Sequence, residues 1–184
     1  MAPILGIYAS QMSGHPRSSF ESIATQVLSS STTTVTFSSI PSTYKHLQLR
    51  VNFLTSASDN AVNTFFNNDS TSGNYAFHGI TNSNTTPYSY GVSAATNWDI
   101  GWAWGTNPSP YPNVFIMDII DYANTSKYKT GKIMWGTDSN YGSAHAEISL
   151  ISGLWLSTAA INQISFTVTT YLSGSTFALY GIKG

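Results

Sequence analysis

The chain has 184 residues, no cysteine, a net charge of −1 and only 8% charged residues, against about 25% in ordinary globular domains. A hydrophobic content of 41% with 14% aromatics excludes disorder, because disordered chains are poor in both. Without cysteine there is no disulfide framework, thiolate metal site or Cys nucleophile. Solubility carried by Ser, Thr and Asn suits a protein that packs against neighbours.

Residues 1–20 read as an N-terminal arm and loop, and 21–184 as a single β-sandwich domain. Met1 to Tyr8 is apolar, with Pro3 and Gly6 inside it. It lacks the basic n-region of a secretory signal, and no stretch approaches the ~20 apolar residues of a membrane span. The expectation is a protein made in the cytoplasm of its host cell and not embedded in a membrane. An apolar terminal segment is usually docked on something. Ile4, Leu5, Ile7 and Tyr8 are therefore candidate contacts, covering the chain's own sheet edge or reaching a neighbouring subunit or shell.

Glu21 to Leu28 reads as a strand, since Ile23 and Val27 are β-branched. Thr34 to Ser38 alternates Val35 and Phe37 with polar residues. The clearest element is Tyr44 to Ser56, where Leu47, Leu49, Val51 and Phe53 alternate with His46, Gln48, Arg50 and Asn52. That period of two puts the apolar groups on one face of a half-buried strand, which Pro41 helps to start. Ala57 to Asn60 reads as a turn, Ala61 to Asn67 as a strand, and Asn74 to Ile80 as another. Thr81 to Ser93, with Pro87, reads as a long polar loop.

Trp98, Trp102 and Trp104 lie close together before a proline-rich loop. Aromatic faces of this kind recognise sugars or partner proteins, or plug one end of a sandwich. Asn113 to Tyr122 barely alternates and predicts a central strand covered on both faces. Tyr128 to Thr137 and Ala144 to Leu156 are strands, the second broken near Ser152-Gly153. Asn162 to Tyr171 and Thr176 to Ile182 complete the set. Eight to ten short strands separated by polar turns predict an all-β, antiparallel β-sandwich. A jelly roll is the first choice and an immunoglobulin-like sandwich the second.

Chemistry is harder to find. Glycoside hydrolysis needs two facing carboxyl groups, and Asp118 and Asp121 have the odd spacing that sends strand neighbours to opposite faces. His15, His46, His78 and His145 sit in separate elements, without the clustering a metal needs. There is no Gly-x-Ser-x-Gly elbow and no phosphate-cradling glycine loop. Only Lys127, Lys129 and Lys132 cluster, short of the basic stripe a nucleic acid requires. The expectation is a protein that is not an enzyme and has no cofactor or metal.

Five blocks then resemble a known group. MAPILGIYAS at the start, FESIAT at 20–25, TFSSIPSTYKHLQLR at 36–50, DIIDYANTSKYKT at 118–130 and the closing FALYGIKG look like short virion proteins of tailed bacteriophages, of the type found in phages of cyanobacteria and aquatic bacteria. The likeness runs from end to end and implies no catalytic residues. It implies a virion structural protein, with a capsid decoration or cement protein first and a glycan- or host-binding module of a head or tail fibre second. Expected partners are the major capsid protein or other virion proteins, in a homotrimer, with a glycan as the ligand of the second reading.

Overall fold

The alternation at Leu47 to Phe53 forms strand β3 (His46–Phe53), with the four apolar residues buried and Arg50 and Asn52 exposed. It lies within a computed structural model that describes residues 19–56, 58–105, 111–141 and 144–184. Eleven further strands surround it among the described residues. They are β1 (Phe20–Val27), β2 (Thr32–Phe37), β4 (Ser58–Phe66), β5 (Tyr75–Ser83), β6 (Thr86–Ala95), β7 (Trp98–Trp104), β8 (Asn113–Ile120), β9 (Lys129–Tyr141), β10 (Ala144–Trp155), β11 (Ile164–Tyr171) and β12 (Thr176–Ile182).

The pairing is nested. β1 pairs with β12, β2 with β11, β3 with β8 and β4 with β7, all antiparallel. This is one antiparallel ribbon rolled on itself, and β12–β3 and β11–β4 contacts close the roll. The result is a jelly-roll sandwich. Two hairpins are inserted into it, β5–β6 after β4 and β9–β10 after β8. Both join the same sheet, giving an eight-stranded order β1-β12-β3-β8-β9-β10-β5-β6 facing a four-stranded β2-β11-β4-β7.

Tryptophan and glycine interlock the two layers. Trp98 of β7 is 1% exposed and lies flat on the large sheet at Gly153, where a Cβ would sit 1.8 Å from its ring. In return, Trp135 of β9 packs onto Gly101 of the small sheet, where a Cβ would come within 2.3 Å of the indole. Gly101 has φ +141°, a conformation open to glycine alone among common residues. Phe115 stacks on Trp135 with centroids 5.9 Å apart, and Phe53 meets Tyr171 edge-on at 5.2 Å.

Several expectations need correction. Thr81 to Ser93 is not a loop but most of the β5–β6 hairpin. Its turn is two residues, with Asn84 at φ +56°, and Asn84 is pinned to Ala146 of β10 through its own N–H and side-chain carbonyl. Pro87 is tolerated because β6 is an edge strand, where a missing N–H breaks no ladder. β10 is continuous through Ser152-Gly153, since Gly153 makes room for Trp98 rather than ending the strand. The turn expected at Ala57 to Asn60 is largely the start of β4. Twelve strands among the described residues replace the expected eight to ten. Finally, β8 is central in its sheet but is covered on one face only: Val114 and Ile120 point outward and are exposed.

Candidate functional site

The inserted hairpins widen the large sheet, and the small sheet covers only its inner side. Because the strands are in register, side chains of the outer side fall into rows. One row runs Arg50, Ile116, Met134, Leu150, Ile80, Ser89 across β3, β8, β9, β10, β5 and β6. The next holds Asn52, Val114, Gly136, Ile148 and Asn82. Directly opposed residues lie about 4.5–5.5 Å apart, so Ile116, Met134, Leu150 and Ile80 form one continuous apolar ridge.

Ridge and neighbour are open to solvent. Ile148 is 62% exposed, Ile80 61%, Met134 56% and Leu150 52%. A groove of about 680 Å³ lies between them and Pro87, Tyr88 and Ser89. A second, smaller one of about 520 Å³ runs past Gly136, between Val114, Ile116, Met134 and Ile148. Single exposed apolar residues are ordinary. A contiguous patch of several, spread over four strands, marks an interaction surface.

A polar row borders the ridge: Gln48, Asp118, Lys132, Ser152 and His78, in register across β3, β8, β9, β10 and β5. Arg50 Nε donates to Gln48 Oε1 at 2.9 Å, and Gln48 Nε2 donates to Asp118 Oδ1 at 2.8 Å. The Arg50 guanidinium also sits 5.7 Å from the Phe20 ring centre and 5.6 Å from that of Tyr180. These bonds fix the border while leaving the ridge uncharged.

The tryptophan stretch does not form one surface. Trp98 is in the core, Trp104 is half-buried, and Trp102 is 39% exposed on β7, the edge strand of the small sheet. A register shift between Ala61 and Asn63 of β4 rephases the strand so that Trp98 and Trp102 face opposite ways. Ile4, Leu5, Ile7 and Tyr8 lie outside the described residues.

The lysines also disperse. Lys127 pairs with Asp121, and Lys129 is buried with its ammonium donating to the carbonyls of Lys127, Ser157 and Thr158. Only Lys132 reaches the outer face. Asp121 is held down at about 2 by the bonds from Lys127 and Lys45. His46 accepts the Asp121 N–H at Nδ1 and lies four strands from His78 in the sheet order. Among the described residues no three His, Asp or Glu side chains gather as a metal site.

One polar cluster escaped the sequence reading, because its members come from four elements. On the inner side, Ser149 Oγ donates to Glu147 Oε1 at 2.8 Å and lies 2.9 Å from Thr81 Oγ1. Burial pushes the nearby Asp99 up to about 6, against the pull of the Gly101 N–H at 3.1 Å. Burial, with the charges of Asp99 and Glu147, also raises Tyr90. Thr81, Ser149 and Glu147 satisfy one another on this side of the sheet.

No protein-family model matches the chain, and no curated protein matches it in sequence.

Proposed function

We propose that the chain is a structural protein of a tailed-phage virion, most specifically a capsid decoration protein that braces the head shell. The observation that carries this reading is the bare apolar ridge on a rigid jelly-roll sheet. A flat, uncharged face of this kind suits burial against protein. It lacks the convergent polar groups and enclosure of a small-molecule site. The resemblance of the five sequence blocks supplies the particle. In this reading Ile4, Leu5, Ile7 and Tyr8 contact the major capsid protein, the copies stand at local three-fold positions as trimers, and the role is mechanical rather than catalytic. Fold alone does not license the assignment, so the test is made on particles. Quantitative mass spectrometry of purified virions should find the protein at a copy number comparable to the major capsid protein, and a count of a few per particle rules out decoration.

A second reading, a glycan- or host-binding module of a head or tail fibre, is favoured by one observation. Trp102 presents its ring on an edge strand, where a sugar can stack. Glycan-array binding that Trp102→Ala abolishes would establish it. Equal absence of signal from wild type and variant removes it.

A further inference from the structure

The outer face of the large sheet offers more than a generic contact. It carries Arg50 and Lys132 against Asp118 and Asp138, so neither sign is in excess. That balance is a poor match for a nucleic acid or an anionic surface, which call for a basic patch. It is a good match for a surface that carries the same charges.

We propose that this face binds a second copy of the same chain. The assignment rests on the reading of the chain as an assembly protein and names what meets its apolar ridge. Register supplies the geometry. A two-fold axis running along the strands between β8 and β9 sets Ile116 of each copy against Met134 of the other. The same rotation sets Asp118 of each copy against Lys132 of the other, one row away. An isologous contact needs that self-complementarity, and here adjacent cross-strand partners provide it.

Area agrees. Eight strands of about eight residues, at ~4.8 Å between strands and ~3.3 Å per residue, make a face of roughly 900 Å². A standard stable interface buries about 800 Å² per partner. The ridge is uncharged at its centre and polar at its border, the anatomy of homodimer contacts. With a net charge of −1 on 184 residues, copies of the chain repel one another little.

The absence of native cysteine makes the test clean. Full-length protein is studied by sedimentation velocity at micromolar concentration, as wild type and as Leu150→Lys. Single-cysteine variants Ile116→Cys and Met134→Cys, which the axis sets face to face, are mixed in equal amounts and treated with a short bismaleimide cross-linker, in parallel with Thr34→Cys, which lies on the exposed side of the small sheet. The expected result is self-association that Leu150→Lys weakens at least tenfold, with covalent dimers from the mixture of Ile116→Cys and Met134→Cys and none from Thr34→Cys. Circular dichroism checks that Leu150→Lys, an exposed substitution, stays folded.

A wild type that remains monomeric at tens of micromolar overturns the proposal, and so does an oligomer that Leu150→Lys leaves intact. If the full chain is monomeric but dimerises once residues 1–18 are removed, the chain's own N-terminal segment is the occupant and the second copy is not. Virion incorporation is scored separately. A monomer that still enters particles, and fails to do so as Leu150→Lys, refutes self-association while leaving the virion role standing.

Discussion

Asp99 offers the most quantitative test of the packing around β7. Its carboxyl accepts the Gly101 N–H on the edge strand β7, and burial lifts it from 3.8 to about 6. In the unfolded chain the group ionises near 3.8. In the folded protein it keeps its proton for about two further pH units. Folding is therefore favoured below pH 4 relative to neutral pH, and stability falls as pH rises from about 4 to about 6, then levels off. At 1.36 kcal/mol per unit the loss is about 3 kcal/mol. Asp99→Asn keeps an acceptor for Gly101 and removes the titration. Urea unfolding at pH 4.5 and 7.5 should show wild type losing about 2 kcal/mol between the two, since part of the loss is already complete at pH 4.5, with the variant nearly flat and more stable than wild type at pH 7.5. Equal pH dependence in both proteins would mean that Asp99 is solvated.

Other predictions follow from single contacts. Gly153→Ala forces a Cβ into the Trp98 ring at 1.8 Å, so it should destabilise by at least the ~1–3 kcal/mol typical of overpacking, seen as a lower urea midpoint. The Asp69 carboxylate accepts from Trp155 Nε1 at 2.7 Å, Asn74 Nδ2 at 2.8 Å and the Thr71 N–H at 2.9 Å. Burial opposes its ionisation, yet these donors hold it at about 2. Asp69→Ala should cost about 2 kcal/mol and alter Trp155 fluorescence. Because Asp69 is depressed, its contribution is complete above the ordinary 3.8 and is lost as pH falls towards 2, opposite in sign to Asp99. Thermal scans should accordingly peak between about pH 4 and 5.

The sequence was informative where one face of a strand is dry and the other wet. β3 and β11 alternate so regularly that their inward residues, Leu47 to Phe53 and Ile164 to Val168, could be read directly. It was misleading where tertiary pairing decides. β6 is rich in Ser, Tyr and Gly and begins beside a proline, so nothing local marks it as a strand. Its pairing with β5, and the anchoring of Asn84 on β10, make it one. The Trp98–Gly153 and Trp135–Gly101 locks join residues distant in the chain, and a lone glycine cannot announce which ring it will receive.

β8 was misread for a more useful reason. Its outward residues Val114, Ile116 and Ile120 are as apolar as its inward ones, so it reads as a strand covered twice. Periodicity reports that a face is dry without saying whose atoms keep it dry. The small sheet shows the contrast, for its outward side carries Thr34, Thr36, Asn63 and Thr167 in paired rows. Apart from Phe65 and Trp102, that outer face carries mostly hydroxyls and amides, while the other carries Ile, Leu, Met and Val. If a second copy covers the latter, replacing Ile148 and Leu150 together with Thr removes little from the isolated fold, because both are already exposed. It removes most from the assembly. Wild-type Tm should then rise with protein concentration, as binding to the folded state requires, while the double variant unfolds at one temperature throughout. A concentration-independent wild-type Tm, matched by the variant, would mean that the dry face of β8 is not covered by its own kind.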